Sequence, residues 1–356
     1  MFKNPHSKNI LLILKLECET GMSLSLKEKI AIHLDQIKQL KGVENAVLTQ
    51  RDGNPIQSTG VWISKEEMFN LCSAASAIYN VGIHLHPMDL RYILIEGKKA
   101  KILIAPLLSP LHKSLNKIID HQKIINQNHE FFIVITAQPN VNLGGIFLQT
   151  NECLRKIKIS LITSGEHFKP PLVEFEKEKI NSIMDGFQIK NSKKEMTKLS
   201  PFSMNLSPEI TNKLRSELII FSKNFPTLKY GFVSLEGGFV VSKVLKEKNS
   251  REFDFDQISA MSYSLFKTAD RCSWILKKMH AEKIMMECKN SFQFIIGLKN
   301  AILSTELAKS KQRIGLLRLF LTKVKQKIGH LLLKASKNRD ESPFDVKRLL
   351  GELIIK

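Results

Sequence analysis

The same sequence pattern occurs twice in this chain. The first copy is GVENAVLTQRDGNPI, at Gly42–Ile56, and the second is TLKYGFVSLEGGFVV, at Thr227–Val241. Gly53 aligns with Gly238, so the offset is 238 − 53 = 185 residues. Solenoid repeats recur every ~20–50 residues, so this longer offset indicates two related domains.

The length of the chain agrees with two domains. Since a domain typically has ~100–200 residues, a chain of 356 residues is expected to form about two domains. Its content of 43% hydrophobic residues is enough to fill two cores. The sequence predicts a first domain at 1–162 with an insertion at 110–130 and a linker at 163–206. The second domain is expected at 207–336, before a tail with a short helix at 337–356.

Within the first copy, the pattern predicts helix, two strands, helix, three strands, helix. Apolar residues at helical spacing follow Ser25 and stop at Gly42. Arg51–Asn54 is a hairpin signal because Gly53 accepts a positive φ. Ser64 begins the second helix, with Glu67 in the position of a capping box. The remaining strands are expected at 90–96, 101–107 and 131–136, and the last helix at 142–159.

The second copy repeats this order. Helices are predicted at 207–224, 254–272 and 309–334, and strands at 231–235, 239–244, 283–287, 292–298 and 302–307. Antiparallel hairpins with helices on their faces form an α+β domain. We therefore expect two copies of one α+β domain, each a five-stranded antiparallel sheet flanked by helices.

The second helix of each copy is rich in small side chains, which let another helix approach closely. Both helices are therefore candidates for a packing surface between domains. The candidate interface residues are Leu71, Ala74, Ala75, Ile78, Ala260, Met261 and Leu265.

This order of elements resembles the Roadblock/dynein light chain family, a relative of longin and profilin-like domains. The matching residues are Gly42-Val43 before the first strand, Asp52-Gly53 in the hairpin, the alanine-rich helix at 71–78, and Asn142-Leu143-Gly144 at the last helix. The second copy departs from this pattern, with Gly237-Gly238 in the hairpin and only Gly315 near the last helix.

The resemblance implies a scaffold or regulator of small Ras-like GTPases without catalytic residues or cofactors of its own. Roadblock domains pair so that two sheets form one platform. Two copies in one chain could pair with each other, favoured by high effective concentration, or could pair between chains.

A net charge of +20 leaves other partners open, because such a charge attracts polyanions. The alternatives are a longin-type adaptor at an anionic membrane surface and a basic nucleic-acid-binding protein. Lysine dominates over arginine, which disfavours nucleic acid. Five residues are candidates for a partner or membrane surface: Arg51, Arg91, Lys311, Arg318 and Lys325.

The last helix has its own apolar stripe. Leu317, Leu321, Val324, Ile328 and Leu331 share one side, which we expect to pack on the sheet rather than on a membrane.

Catalytic motifs do not occur in the sequence. GxxxxGK[ST], GxGxxG, HExxH and GxSxG are missing, and the five cysteines are scattered without a CxxC pair. His84 and His86 could share one strand face, but no third ligand lies near them in sequence. The sequence therefore predicts a non-enzymatic protein without cofactor or metal. It also predicts a cytoplasmic location, with peripheral membrane contact as the alternative.

Overall fold

The computed structural model describes residues 24–60, 64–87, 89–107, 131–163, 206–246, 254–275, 280–309 and 314–337. The insertion predicted at 110–130, most of the linker and most of the tail lie outside these ranges.

The elements follow the predicted order in both repeats. The first repeat holds α1 (Leu26–Lys38), β1 (Val43–Gln50), β2 (Pro55–Gly60), α2 (Lys65–Leu85), β3 (Leu90–Gly97), β4 (Lys101–Pro106), β5 (Phe131–Ala137) and α3 (Leu143–Thr163). The second holds α4 (Pro208–Asn224), β6 (Leu228–Leu235), β7 (Val240–Leu245), α5 (Phe255–Ile275), β8 (Ala281–Cys288), β9 (Ser291–Gly297), β10 (Ala301–Ala308) and α6 (Ile314–Lys337).

The compact units do not coincide with the repeats. One unit comprises Met1–Ser76 with Lys99–Leu172, and the other comprises Ala77–Lys98 with Val173–Lys356. The strand order is β2-β1-β5-β4 in the first unit and β3-β8-β9-β10-β6-β7 in the second, and the strand pairs are antiparallel. The expectation of two separate five-stranded sheets is therefore wrong. Strand β3 belongs to the first repeat in sequence, yet it hydrogen-bonds to β8 of the second.

In the first unit, helices cover both faces of the sheet. The side chain of Thr59 on β2, opposite Ala46 of β1, hydrogen-bonds to Asp35 of α1. Thr49 of β1 hydrogen-bonds to Cys72 of α2 at 3.2 Å. Because positions 46 and 49 point to opposite faces of a strand, α1 and α2 lie on opposite sides. This explains why every residue of the apolar strand β5, FFIVITA, is buried.

Local capping residues determine where the helices begin. Ser25 and Glu28 form a reciprocal capping box at α1, and Ser64 and Glu67 make the same pair of bonds before α2. Ser207 caps α4, with a proline in its first turn. These predicted starts are confirmed.

The second unit also has helices on both faces. Tyr230 and Phe232 of β6 contact Phe255 at the start of α5. Leu235, which points the opposite way, lines a small cavity of about 50 Å³ together with α6. Helix α6 also packs on α4, where Phe320 lies within 6.0 Å of the rings of Phe221 and Phe225.

The apolar stripe of α6 faces the protein. Leu317, Leu321, Val324 and Ile328 are buried, and Leu331 is half-buried. Among the described helices, none is long and apolar enough to cross a membrane.

Both hairpin glycines support tight packing against a helix. Gly53 has φ +96° and Gly238 has φ +85°. A Cβ atom at Gly238 would lie 2.7 Å from the Ala260 Cα, and one at Gly53 would lie 3.0 Å from the Ser73 Cα. Both positions therefore require glycine for two reasons: the positive φ angle and the lack of space for a Cβ atom.

Gly238→Ala should lower the free energy of unfolding by about 1–3 kcal/mol, since the left-handed backbone angle and the contact with Ala260 both oppose a methyl group. Urea titration of the full chain measures this. Gly315→Ala is the matched control: position 315 lies in α6 with open space around it, so alanine should stabilise by up to about 1 kcal/mol. Equal effects of the two substitutions would contradict the packing described for Gly238.

The side chain of His33 on α1 is buried against α3. The His33 Nε2 atom is 3.2 Å from the Ser160 hydroxyl, and the side chain is buried. Burial lowers the pKa of His33 to about 4, and the nearby Lys156 cation adds to that effect.

Acid should therefore destabilise the first unit. Because the unfolded chain binds this proton near pH 6.5 and the folded chain near pH 4, stability should fall between those values by about 1–3 kcal/mol. His33→Gln should remove this part of the pH dependence, measured by urea titration at several pH values. An unchanged slope in the variant would show that His33 does not bind the proton.

Candidate functional site

The most distinctive contact in the second unit is the pairing of β3 with β8. The strands are antiparallel, with Leu94 opposite Met285 at the centre of the register. The facing pairs are Tyr92–Glu287, Ile93–Met286, Leu94–Met285, Ile95–Ile284 and Glu96–Lys283. The central apolar residues of both strands are buried.

This register is self-complementary. When LRYILIEG of β3 is aligned with AEKIMMEC of β8, Ile93 corresponds to Ile284 and Ile95 to Met286, at an offset of 284 − 93 = 191. In the structure, Ile93 lies opposite Met286 and Ile95 lies opposite Ile284. When two residues face each other across the pair, their counterparts in the other strand therefore also face each other, which is the pattern of an isologous contact between two like strands.

A charged cluster closes one end of the strand pair. The carboxylate of Glu96 forms ion pairs with Lys283, at 3.3 Å, and with Arg318 of α6. Burial lowers the pKa of Lys283, while the facing carboxylate of Glu96 acts in the opposite direction. The cluster joins three elements of the second unit.

The corresponding glutamate at the other end also binds a cation. Glu287 aligns with Glu96 at the same offset of 287 − 96 = 191. Its carboxylate is 2.7 Å from the Lys309 ammonium group, which also lies over the ring of Phe292. The two ends are therefore similar in charge but different in partners.

Polar side chains also attach the segment before β3 to the second repeat. The His86 Nε2 atom is 2.5 Å from the Gln293 Oε1 atom, and the Gln293 amide donates to Ser262 and Ser304. The Gln293 side chain is fully buried, so these bonds satisfy a group that would otherwise be costly to bury.

The two histidines do not share a strand face. His84 lies in the last turn of α2 rather than on a strand, and it is exposed. His86 follows the end of this helix, and its ring contacts Gln293. Within the described ranges, no group of three or more metal-ligating side chains occurs.

The predicted interface residues divide by burial. Leu71, Ala75, Ile78 and Leu265 are fully buried, Ala74 and Met261 are half-buried, and Ala260 is exposed. Their role in pairing stays a prediction, but the buried members are core residues of their helices.

The five predicted surface cations differ in environment. Arg91 is exposed, Arg51 and Lys325 are half-buried, and Arg318 is paired with Glu96. Lys311 lies outside the described residues. Sequence reasoning missed Glu96 and Glu287, although their equivalent places in the two strands were a usable signal.

Four of the described cysteines are buried thiols: Cys72, Cys153, Cys272 and Cys288. Burial raises the thiol pKa of Cys72, Cys153 and Cys288 to about 12, so these thiols stay protonated at neutral pH. Their surroundings are those of structural rather than reactive cysteines.

Glu96→Ala should lower the free energy of unfolding by about 1–3 kcal/mol, because it leaves Lys283 and Arg318 without their carboxylate. The control is Glu209→Ala, which removes an exposed, solvent-screened pair with Lys213 and should change stability much less. Urea titration of both variants measures the two losses in the free energy of unfolding. Equal losses would mean that the Glu96 cluster contributes no more than a surface pair.

Comparison with known proteins gives only structural likenesses. No family model matches the chain, and no curated protein matches it significantly. A Roadblock/LC7 domain from Streptomyces avermitilis is 12% identical, over 36% of this chain and 92% of that domain, with a TM-score of 0.29. Myxococcus xanthus MglB is 12% identical, over 36% of this chain and 94% of that protein, with a TM-score of 0.33. MglC from the same organism is 14% identical, over 37% of this chain and 98% of that protein, with a TM-score of 0.26. Each of these likenesses covers little more than a third of this chain.

Proposed function

We propose that this chain is a tandem Roadblock-like protein whose two copies pair internally, and that the paired platform binds a small Ras-like GTPase as a scaffold or regulator. The single observation that carries the proposal is the self-complementary register of β3 and β8. The protein itself catalyses no reaction in this proposal.

The register matters because it pairs equivalent positions of the two repeats about one centre. An isologous contact does so by symmetry, since the same surface occurs on both sides. The register therefore supports descent from a domain that once paired with a second copy of itself. The Roadblock resemblance implies that kind of pairing.

Fusion allows the two copies to diverge, which gives the platform one distinct partner site. The hairpin tip of the first repeat ends in Asp52-Gly53-Asn54, whereas the second repeat has Gly238 followed by Phe239. The Phe239 side chain is 74% exposed. Exposed aromatic side chains are frequent anchors of protein interfaces.

The surroundings of Phe239 suit a protein partner. The Ser259 hydroxyl donates to the Gly238 carbonyl at 2.6 Å, which fixes the hairpin tip against α5. The adjoining residue Ala260 is exposed and small. A rigid tip beside a small side chain lets a partner approach closely at low entropic cost.

The titratable groups with the largest pKa shifts support a binding role. In the described residues these are Tyr230, His33 and the thiols of Cys72, Cys153 and Cys288, and all of them are buried in the core. Catalytic groups with shifted pKa values lie instead in clefts that a substrate can reach.

Binding to purified small Ras-like GTPases from the same organism tests the proposal, with each GTPase loaded with GDP or with a non-hydrolysable GTP analogue. We expect saturable binding to at least one GTPase, weakened about tenfold or more by Phe239→Ala. Leu148→Ala is the control, because that leucine is equally exposed but lies on α3. No binding in either nucleotide state would sink the proposal.

A further inference from the structure

The outward side of α6 is unusual for a helix that is packed in a core. Its buried stripe fixes the orientation of the helix, so the opposite side faces solvent. On that side Leu316 is 64% exposed and Leu319 is 67% exposed. Two leucines three residues apart form one apolar spot near the start of the helix.

Cations continue this side toward the end of the helix. Lys323, Lys327 and Lys334 are exposed at helical spacing from Leu316 and Leu319. The sequence of α6 holds six Lys and Arg residues and no Asp or Glu. Lys327 pairs with Glu217 of α4, so Lys323 and Lys334 are the better-placed charges for a partner.

The corresponding helix of the first repeat differs in charge. Leu148 of α3 stands four residues after Gly144, as Leu319 stands four after Gly315, and both leucines are exposed. In α3, however, Glu152 pairs with Arg155 and Lys156. Both repeats thus have an exposed leucine on this helix. Of the two helices, only α6 has cations without acidic residues.

We infer that the outward side of α6 docks onto an anionic lipid surface. Leu316 and Leu319 enter the boundary between headgroups and acyl chains, and Lys323 and Lys334 contact the lipid phosphates. Exposed leucines beside lysines on one helix side are the pattern of interfacial helices, whose binding combines apolar burial with attraction to anionic lipid.

Charge complementarity favours lipid over an acidic protein. The outward side carries compact, exposed ammonium groups, aliphatic leucines and His330, with no Phe, Tyr or Trp among its exposed positions. Anionic lipid headgroups attract each nearby Lys or Arg by about 1 kcal/mol without requiring fixed geometry. This inference is independent of the proposed GTPase binding, which concerns Phe239 in the hairpin between β6 and β7.

A fluorophore at position 316 tests insertion directly. Leu316→Cys in a Cys18→Ser background would carry an environment-sensitive NBD label, since the four described native thiols are buried. With vesicles containing phosphatidylserine, the emission should shift to the blue and rise at least about twofold. The same label at Leu148→Cys is the control and should change little.

Variants separate insertion from general charge attraction. Leu316→Ser with Leu319→Ser, and separately Lys323→Glu with Lys334→Glu, should each lower co-sedimentation with anionic vesicles by at least about tenfold. Leu148→Ser should leave it unchanged, and thermal unfolding should confirm that each variant is folded. Three results would each overturn the inference: vesicle binding without a change at position 316, binding retained by both variants, or no binding to anionic vesicles. The last result would favour an acidic protein as the partner.

Discussion

The pairing of β3 with β8 is the interaction on which the second unit depends. It buries the apolar centres of two strands that would each present an open, aggregation-prone edge without the other. It also brings part of the first repeat into the compact unit of the second, including the His86 contact with Gln293. The charged cluster at Glu96 then joins the strand pair to α6.

In the tandem arrangement that we propose, a self-complementary register inside one chain allows the two copies to acquire different substitutions. In a dimer of identical domains, every substitution appears on both sides. In a fused chain, Glu96 can bind Lys283 and Arg318 while its counterpart Glu287 binds Lys309. The same freedom left an exposed phenylalanine on one hairpin and a polar turn on the other. Asymmetry of this kind suits a platform with one preferred partner site.

Local features could be predicted from the sequence because local chemistry determines them. Ser25, Ser64 and Ser207 marked helix starts by capping, and Gly53 and Gly238 marked hairpins by their backbone freedom. The pairing of β3 with β8 was not predictable in this way, since the partner of a strand depends on contacts nearly two hundred residues apart in the chain. Aligning the two strands shows that Glu96 and Glu287 are equivalent, but their cation partners Lys283, Arg318 and Lys309 are determined by the fold.

The mass of the full chain in solution tests the central claim most directly. If β3 and β8 pair within one chain, light scattering should give the monomer mass of 40.6 kDa across a wide concentration range. Glu96→Ala should weaken folding without changing that mass. A stable particle of twice the mass, which dissociates when Leu94→Pro disrupts β3, would mean that these strands pair between chains and would contradict the account.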